Sequence, residues 1–132
     1  MVDGAAVSAQ VRAGAVVIRF TLPIRLVSEA NAHAHWRERQ RRAKAQRSAA
    51  YLSAYARVMR LGIDLPAIVT IARIGPRALD SDNLAGCAKH VRDGIADALG
   101  IKDNDPRVEW RVEQRRGKPR EYAVEIVIEP KA

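Results

Sequence analysis

Asp80 and Asp82 stand two residues apart in Arg77-Ala78-Leu79-Asp80-Ser81-Asp82-Asn83-Leu84, where a strand pattern gives way to a helical one. In extended backbone, residues i and i+2 project from the same side, so the two carboxylates can converge on one hard cation. Mg²⁺ takes a few carboxylates and completes its shell with waters and substrate phosphate oxygens. A third acid is available in Lys102-Asp103-Asn104-Asp105, where the helix has ended and another strand begins. Asp105 approaches the first pair if the third strand pairs beside the second. The competing use of these residues is local. An Asp-x-Asp-Asn run also serves as a helix cap, and Asp103 and Asp105 also suit a turn before Pro106. An EF-hand is excluded, because it needs an oxygen ligand at the fifth position, Gly at the sixth and Glu at the twelfth. Counted from Asp80, this chain has Leu84, Ala85 and Val91 there.

The helix after Asp82 carries more polar chemistry. At 100° per residue, Asp82, Lys89 and Asp93 fall within about 40° of one another, opposite the apolar stripe, and Gly86 leaves that face open. Lys89 is therefore either half of an i,i+4 pair with Asp93 or a cation aimed at a phosphate. His33 and His35 flank Ala34 before Trp36; a loop His-x-His of this kind suits phosphate or a partner subunit better than a metal when hard-cation ligands are nearby. Arg37, Arg41, Arg42, Lys44 and Arg47 crowd the first half of another helix, and Arg77 and Lys102 flank the acidic loops. Such density suits phosphate contacts.

The elements that must position these groups read in the order β-α-β-α-β-β. Residues 1–13 read as a loose leader. Val16 to Leu22 is a strand closed by Pro23, and Ser28 and Asn31 suit caps or turns in the loop after it. Trp36 to about Leu61 reads as one long helix stopped by Gly62, with Ala43, Ala50, Ala54, Val58, Tyr51, Leu52 and Tyr55 on an apolar side. Ala67 to Ile74 is a second strand ended by Gly75-Pro76. A second helix runs from Asp82 or Asn83 to about Leu99, its apolar face formed by Leu84, Cys87, Ala88, Val91, Ile95, Ala98 and Leu99. Strands over Val108–Arg115 and Tyr122–Ile128 follow, joined by Gly117-Lys118-Pro119. This pattern predicts one small α+β domain over residues 14–132, a mixed sheet of about four strands with two helices packed on it.

Composition narrows the classes. With 132 residues the chain has room for one domain, and a net charge of +8 favours polyanions, nucleic acid foremost. A single cysteine, Cys87, excludes an internal disulfide and argues against a cysteine-based zinc site; a small buried hydrophobe is its expected role. No apolar run approaches the ~20 residues of a membrane span. The opening residues lack the pattern of a signal peptide, so a cytoplasmic location is expected.

Residues 79–108, with Asp-Ser-Asp-Asn-Leu, Lys89, Asp93 and Asn-Asp-Pro-Arg-Val in sequence, resemble the RusA family of crossover-junction endodeoxyribonucleases, often carried by prophages. The strand ending in Thr21-Leu22-Pro23, with Ser28 and Asn31 after it, is similar to that family's opening, and the likeness extends over about residues 16–129. The resemblance implies a homodimer that binds four-way DNA junctions and cuts them by paired Mg²⁺-dependent hydrolysis, with Mn²⁺ as a substitute. It carries the metal-ligand roles to Asp80, Asp82 and Asp105, and the active-site lysine to Lys89. Two features depart from the family pattern: Asp82 and Lys89 lie about three residues further apart than in its best-known member, nearly one helical turn. The downstream acids read Asp103-Asn104-Asp105, of which Asp105 fits the ligand position and Asp103 is the reserve. The alternative function is a basic nucleic-acid-binding module without catalysis, for which clustered acids bring no gain because they repel the ligand. An RNA-directed nuclease would share the metal logic but not the junction.

Overall fold

The computed structural model describes residues 15–28 and 35–132. The expected leader, Asn31 and His33 lie outside the described residues. Strands β1 (Ile18–Leu22), β2 (Ala67–Gly75), β3 (Val108–Arg116) and β4 (Ala123–Pro130) form one sheet in the order β1-β4-β2-β3. β4 runs antiparallel to both β1 and β2, and β2 and β3 are parallel, in register from Ala67↔Val108 to Gly75↔Arg116. The expected mixed α+β sheet is present, and the third strand does lie beside the second. Neighbours in parallel need a crossover, and the helical segment after Asp80 supplies it.

Helix α1 spans Trp36–Leu61, the range its sequence predicts. His35 caps it, its Nδ1 accepting from the Arg37 N–H at 3.2 Å, and Gly62 closes it at φ 74°. The second helical stretch divides in two among the described residues: α2 (Ser81–Cys87) and α3 (Lys89–Leu99), separated at Ala88. The break leaves the apolar stripe working, because Cys87, Ala88, Val91, Ile95 and Ala98 all enter the core. It does change the helical wheel, so Asp82 and Lys89 no longer sit on one continuous helix.

α1 and α3 pack together and cover one face of the sheet, with Ala50, Ala54, Val91 and Ile95 over Val69, Ile71, Ile126 and Ile128. Their close crossing is set by Gly94, where a Cβ would lie 2.3 Å from the Arg47 carbonyl oxygen. Leu52 and Tyr55, expected on the apolar side of α1, are exposed instead, whereas Gln46 is buried. The small alanines carry the contact because the helices approach so closely. Cys87 is buried, as its type suggested, and its Sγ lies 3.1 Å from the Leu84 carbonyl oxygen. No helix among the described residues is long and apolar enough to cross a membrane.

Candidate active site and nucleic-acid surface

β2 ends at Gly75, and the chain turns through Pro76–Leu79 into α2. Two contacts hold that turn. Gln114 on β3 clamps Leu79 from both sides, its Oε1 accepting the Leu79 N–H at 2.9 Å and its Nε2 donating to the Leu79 carbonyl at 2.7 Å. Arg73 on β2 donates to the Arg77 carbonyl at 2.9 Å. The turn therefore delivers Asp80 at a defined place, as N-cap of α2, with Oδ1 accepting the Asn83 N–H at 2.9 Å. Oδ2 accepts from the Asn83 side chain, whose own oxygen accepts from buried Ser28 at 2.8 Å. Asp82 lies in the first turn of α2, exposed, so the extended backbone expected to align Asp80 with Asp82 is absent: position 82 is helical, where side chains two residues apart do not face each other. Two oxygen-donor side chains thus stand at the carboxyl end of the sheet, and a capping carboxylate keeps lone pairs beyond those the cap uses.

Asp105 is placed elsewhere. Its carbonyl accepts from Val108 N at the amino end of β3, whereas Leu79 is bonded to Gln114 near the carboxyl end. The six residue steps from 108 to 114 cover about 20 Å of strand. The parallel pairing that brings β3 beside β2 therefore sends Asp80 and Asp105 to opposite ends of the pair. Among the described residues no group of three or more His, Cys, Asp or Glu side chains is arranged to hold a metal ion. Both Asp105 oxygens are engaged by Arg107, at 3.1 and 2.8 Å. These bonds hold the Asp105 carboxyl below its ordinary value, at about 2, so the ion pair persists through the neutral and mildly acidic range and weakens as pH falls toward that value.

Lys89 pairs with Asp93 at 3.1 Å, the i,i+4 contact its spacing allows. Both line an open cavity with Lys102, Asp103 and Asn104. The Asp103 carbonyl also accepts from Arg92 and from the Trp110 indole, which fastens this loop to α3 and β3. Lys89→Ala is expected to leave stability within roughly 0.5 kcal/mol, as for an exposed i,i+4 partner. If Lys89 reaches a scissile phosphate, single-turnover cleavage should fall on the order of a hundredfold. Unchanged cleavage with a lowered melting temperature would make the lysine structural.

The cationic residues of α1 divide by partner. Arg47 makes a two-pronged salt bridge to Asp97 at 2.8 and 3.0 Å, tying α1 to α3, so its first duty is packing. Arg41 and Lys44 are exposed, and the Arg37 guanidinium lies 5.4 Å from the centre of the Trp36 ring. Arg42 is half-buried. Arg77 is exposed on the turn that leads to Asp80.

Sequence reasoning missed Ser28 and Asn83 as members of the Asp80 network, and it missed Arg73. One signal was available for the last: period-two alternation puts Ala67, Val69, Ile71 and Arg73 on the same, buried face of β2. No protein-family model matches this chain, and no curated protein matches it.

Proposed function

We propose that this chain is a Mg²⁺-dependent endodeoxyribonuclease that cuts DNA junctions as a homodimer. The observation that carries the reading is the pair Asp80 and Asp82, presented by a braced turn at the carboxyl end of the sheet of a protein whose net charge is +8. A basic polyanion binder gains nothing from acids there, whereas phosphodiester hydrolysis through a hard cation requires them. Asp80 and Asp82 would supply two carboxylates to such a site, from the N-cap and the first turn of α2. Asp105, at the other end of the β2–β3 pair, joins them only if a second copy supplies it. A two-fold dimer would then carry two composite sites, which suits paired cuts in a nearly two-fold junction. When bound, the cation supplies an activated water and neutralises charge on the phosphate. Asp80 and Asp82 hold that position, Asn83 and Ser28 orient Asp80, and exposed Arg77 meets the phosphate. Arg107 must release Asp105 before that carboxylate can serve.

A second reading has its own support: Asp80 caps a helix and Asp105 is paired with Arg107, as expected of a basic binding module with structural acids. Incubation with a synthetic four-way junction labelled on each arm separates the two. Paired nicks in Mg²⁺ or Mn²⁺ that disappear in excess EDTA are expected; no cleavage in either metal, or equal cleavage in EDTA, overturns the nuclease reading.

Junction binding in EDTA is expected to weaken on the order of a thousandfold between 50 and 200 mM salt, as counterions are released from about six or more phosphates. Arg41→Ala with Lys44→Ala should weaken it further. A flat salt titration by gel shift would remove this surface from the DNA interface.

A further inference from the structure

At the carboxyl end of β2 lies a cleft of about 650 Å³ lined by Arg25, Arg73, Arg77, Arg116, Arg120 and Tyr122, among others. Among the described residues no carboxylate lines it. The acid in the adjoining turn, Glu121, is engaged beside Gly117, where its Oε1 accepts from the Lys118 N–H at 2.8 Å. Five guanidinium groups around one space repel one another unless an anion comes between them.

Arg73 adds an independent observation. It is 6% exposed, on the core face of a central strand. Its guanidinium donates to the Leu26 carbonyl at 3.2 Å and the Arg77 carbonyl at 2.9 Å, and it forms no salt bridge among the described residues. Gly75 leaves the space it fills, since a Cβ there would lie 2.9 Å from Nη2. A buried cation satisfied only by neutral carbonyls is costly, and an anion entering the cleft offsets that cost. Arg25 lies 4.2 Å from the centre of the Tyr122 ring, which gives the cleft one wall. Arg120 holds φ 65°, a conformation natural to glycine.

We infer that this cleft binds consecutive phosphates of a nucleic-acid strand. Five positive charges exceed what one phosphate neutralises, and the backbone of a strand supplies several in a row. Leu79 lines the same cleft, so the strand leaves it beside Asp80. The inference goes beyond hydrolysis: it requires a strand as ligand but no cleavage, and it is tested in EDTA.

The probe is a fluorescein-labelled twelve-residue oligothymidine, followed by anisotropy. Arg120→Gly removes a guanidinium and relieves the backbone, so folding is preserved; Arg116→Ala is a second exposed site. Each is expected to weaken binding about tenfold, as for a charged hydrogen bond, and to lower the salt slope by about 0.7. Arg60→Gln, which removes the same charge at the other end of the sheet, is the control and should change binding less than threefold. Inorganic phosphate and thymidine monophosphate should compete far more weakly than unlabelled strand. Equal losses in Arg120→Gly and Arg60→Gln, or no loss with native melting temperatures, overturn the site. Competition by inorganic phosphate as effective as that by the strand, per phosphate, overturns the strand as its ligand.

Discussion

On the proposed nuclease reading, Asp82→Asn is expected to abolish metal-dependent cleavage, by a factor of a thousand or more, while lowering the melting temperature by only a few degrees. A metal that polarises phosphate and water contributes several kcal/mol to the transition state, and each 1.36 kcal/mol is about tenfold in rate. Asp82 is exposed and makes no cap bond, so its charge serves folding only through the dipole of α2, worth about 0.3–1 kcal/mol. Asp80→Asn should behave alike in cleavage, and asparagine caps a helix about as well as aspartate does, so α2 survives. Asp105→Asn is the third inactive variant, and it discriminates further. If one site draws Asp80 and Asp82 from one copy and Asp105 from the other, mixing Asp82→Asn with Asp105→Asn protein restores cleavage. The mixed dimer then holds one intact site, and single nicks reappear. A mixture as inactive as its components would require each chain to bring its own three acids together, against the placement of Asp80 and Asp105 at opposite ends of the β2–β3 pair.

The largest effect on stability is expected at Gly94. A side chain there meets the Arg47 carbonyl oxygen at 2.3 Å and the Ala50 Cβ and Tyr51 N at 3.0 Å. None of these is a flexible tip; two belong to the α1 backbone. Gly94→Val must therefore push two helices apart over Ala50, Val91 and Ile95, which are fully buried. Overpacking of this kind costs about 3 kcal/mol or more, which for a domain of this size lowers Tm by roughly 10 °C. Gly86 is the matched contrast. It lies in α2 with nothing within 4 Å of a Cβ, so Gly86→Ala should stabilise by about 0.5–1 kcal/mol through helix propensity. Thermal melting of both variants checks the pair. A Gly94→Val protein that melts like the wild type would mean that α1 and α3 do not cross there.

Much of the frame was legible in the sequence because its signals are local. Gly62 ends α1, Gly75-Pro76 ends β2, and Gly100 at φ 71° ends α3, each by backbone chemistry that needs no distant partner. Alternation along Val124, Ile126 and Ile128, and the stripe from Cys87 to Ala98, identified core faces correctly because burial follows the period of the element. The division at Ala88 escaped detection, since the apolar stripe continues through it. A helical wheel places Leu52 and Tyr55 inward because it records hydrophobicity and not the distance to the next helix; Gly94 fixes that distance from another part of the chain.

The candidate site divides along the same line. Sequence alone singled out the candidate acids: Asp80 and Asp82 where a strand gives way to a helix, and Asp105 before another strand. It determined too that their setting is strongly basic. Only the tertiary structure decided who meets whom. Parallel pairing of β2 with β3 separates Asp105 from Asp80, and Arg47 is drawn to Asp97. Arg25, Arg73, Arg77, Arg116 and Arg120 come from three separate stretches of the chain and meet at one cleft. The reason is physical. A residue's type and its neighbours within a turn set its local conformation, whereas convergence of side chains depends on strand order and register, which are fixed by hydrogen bonds between residues far apart in the chain.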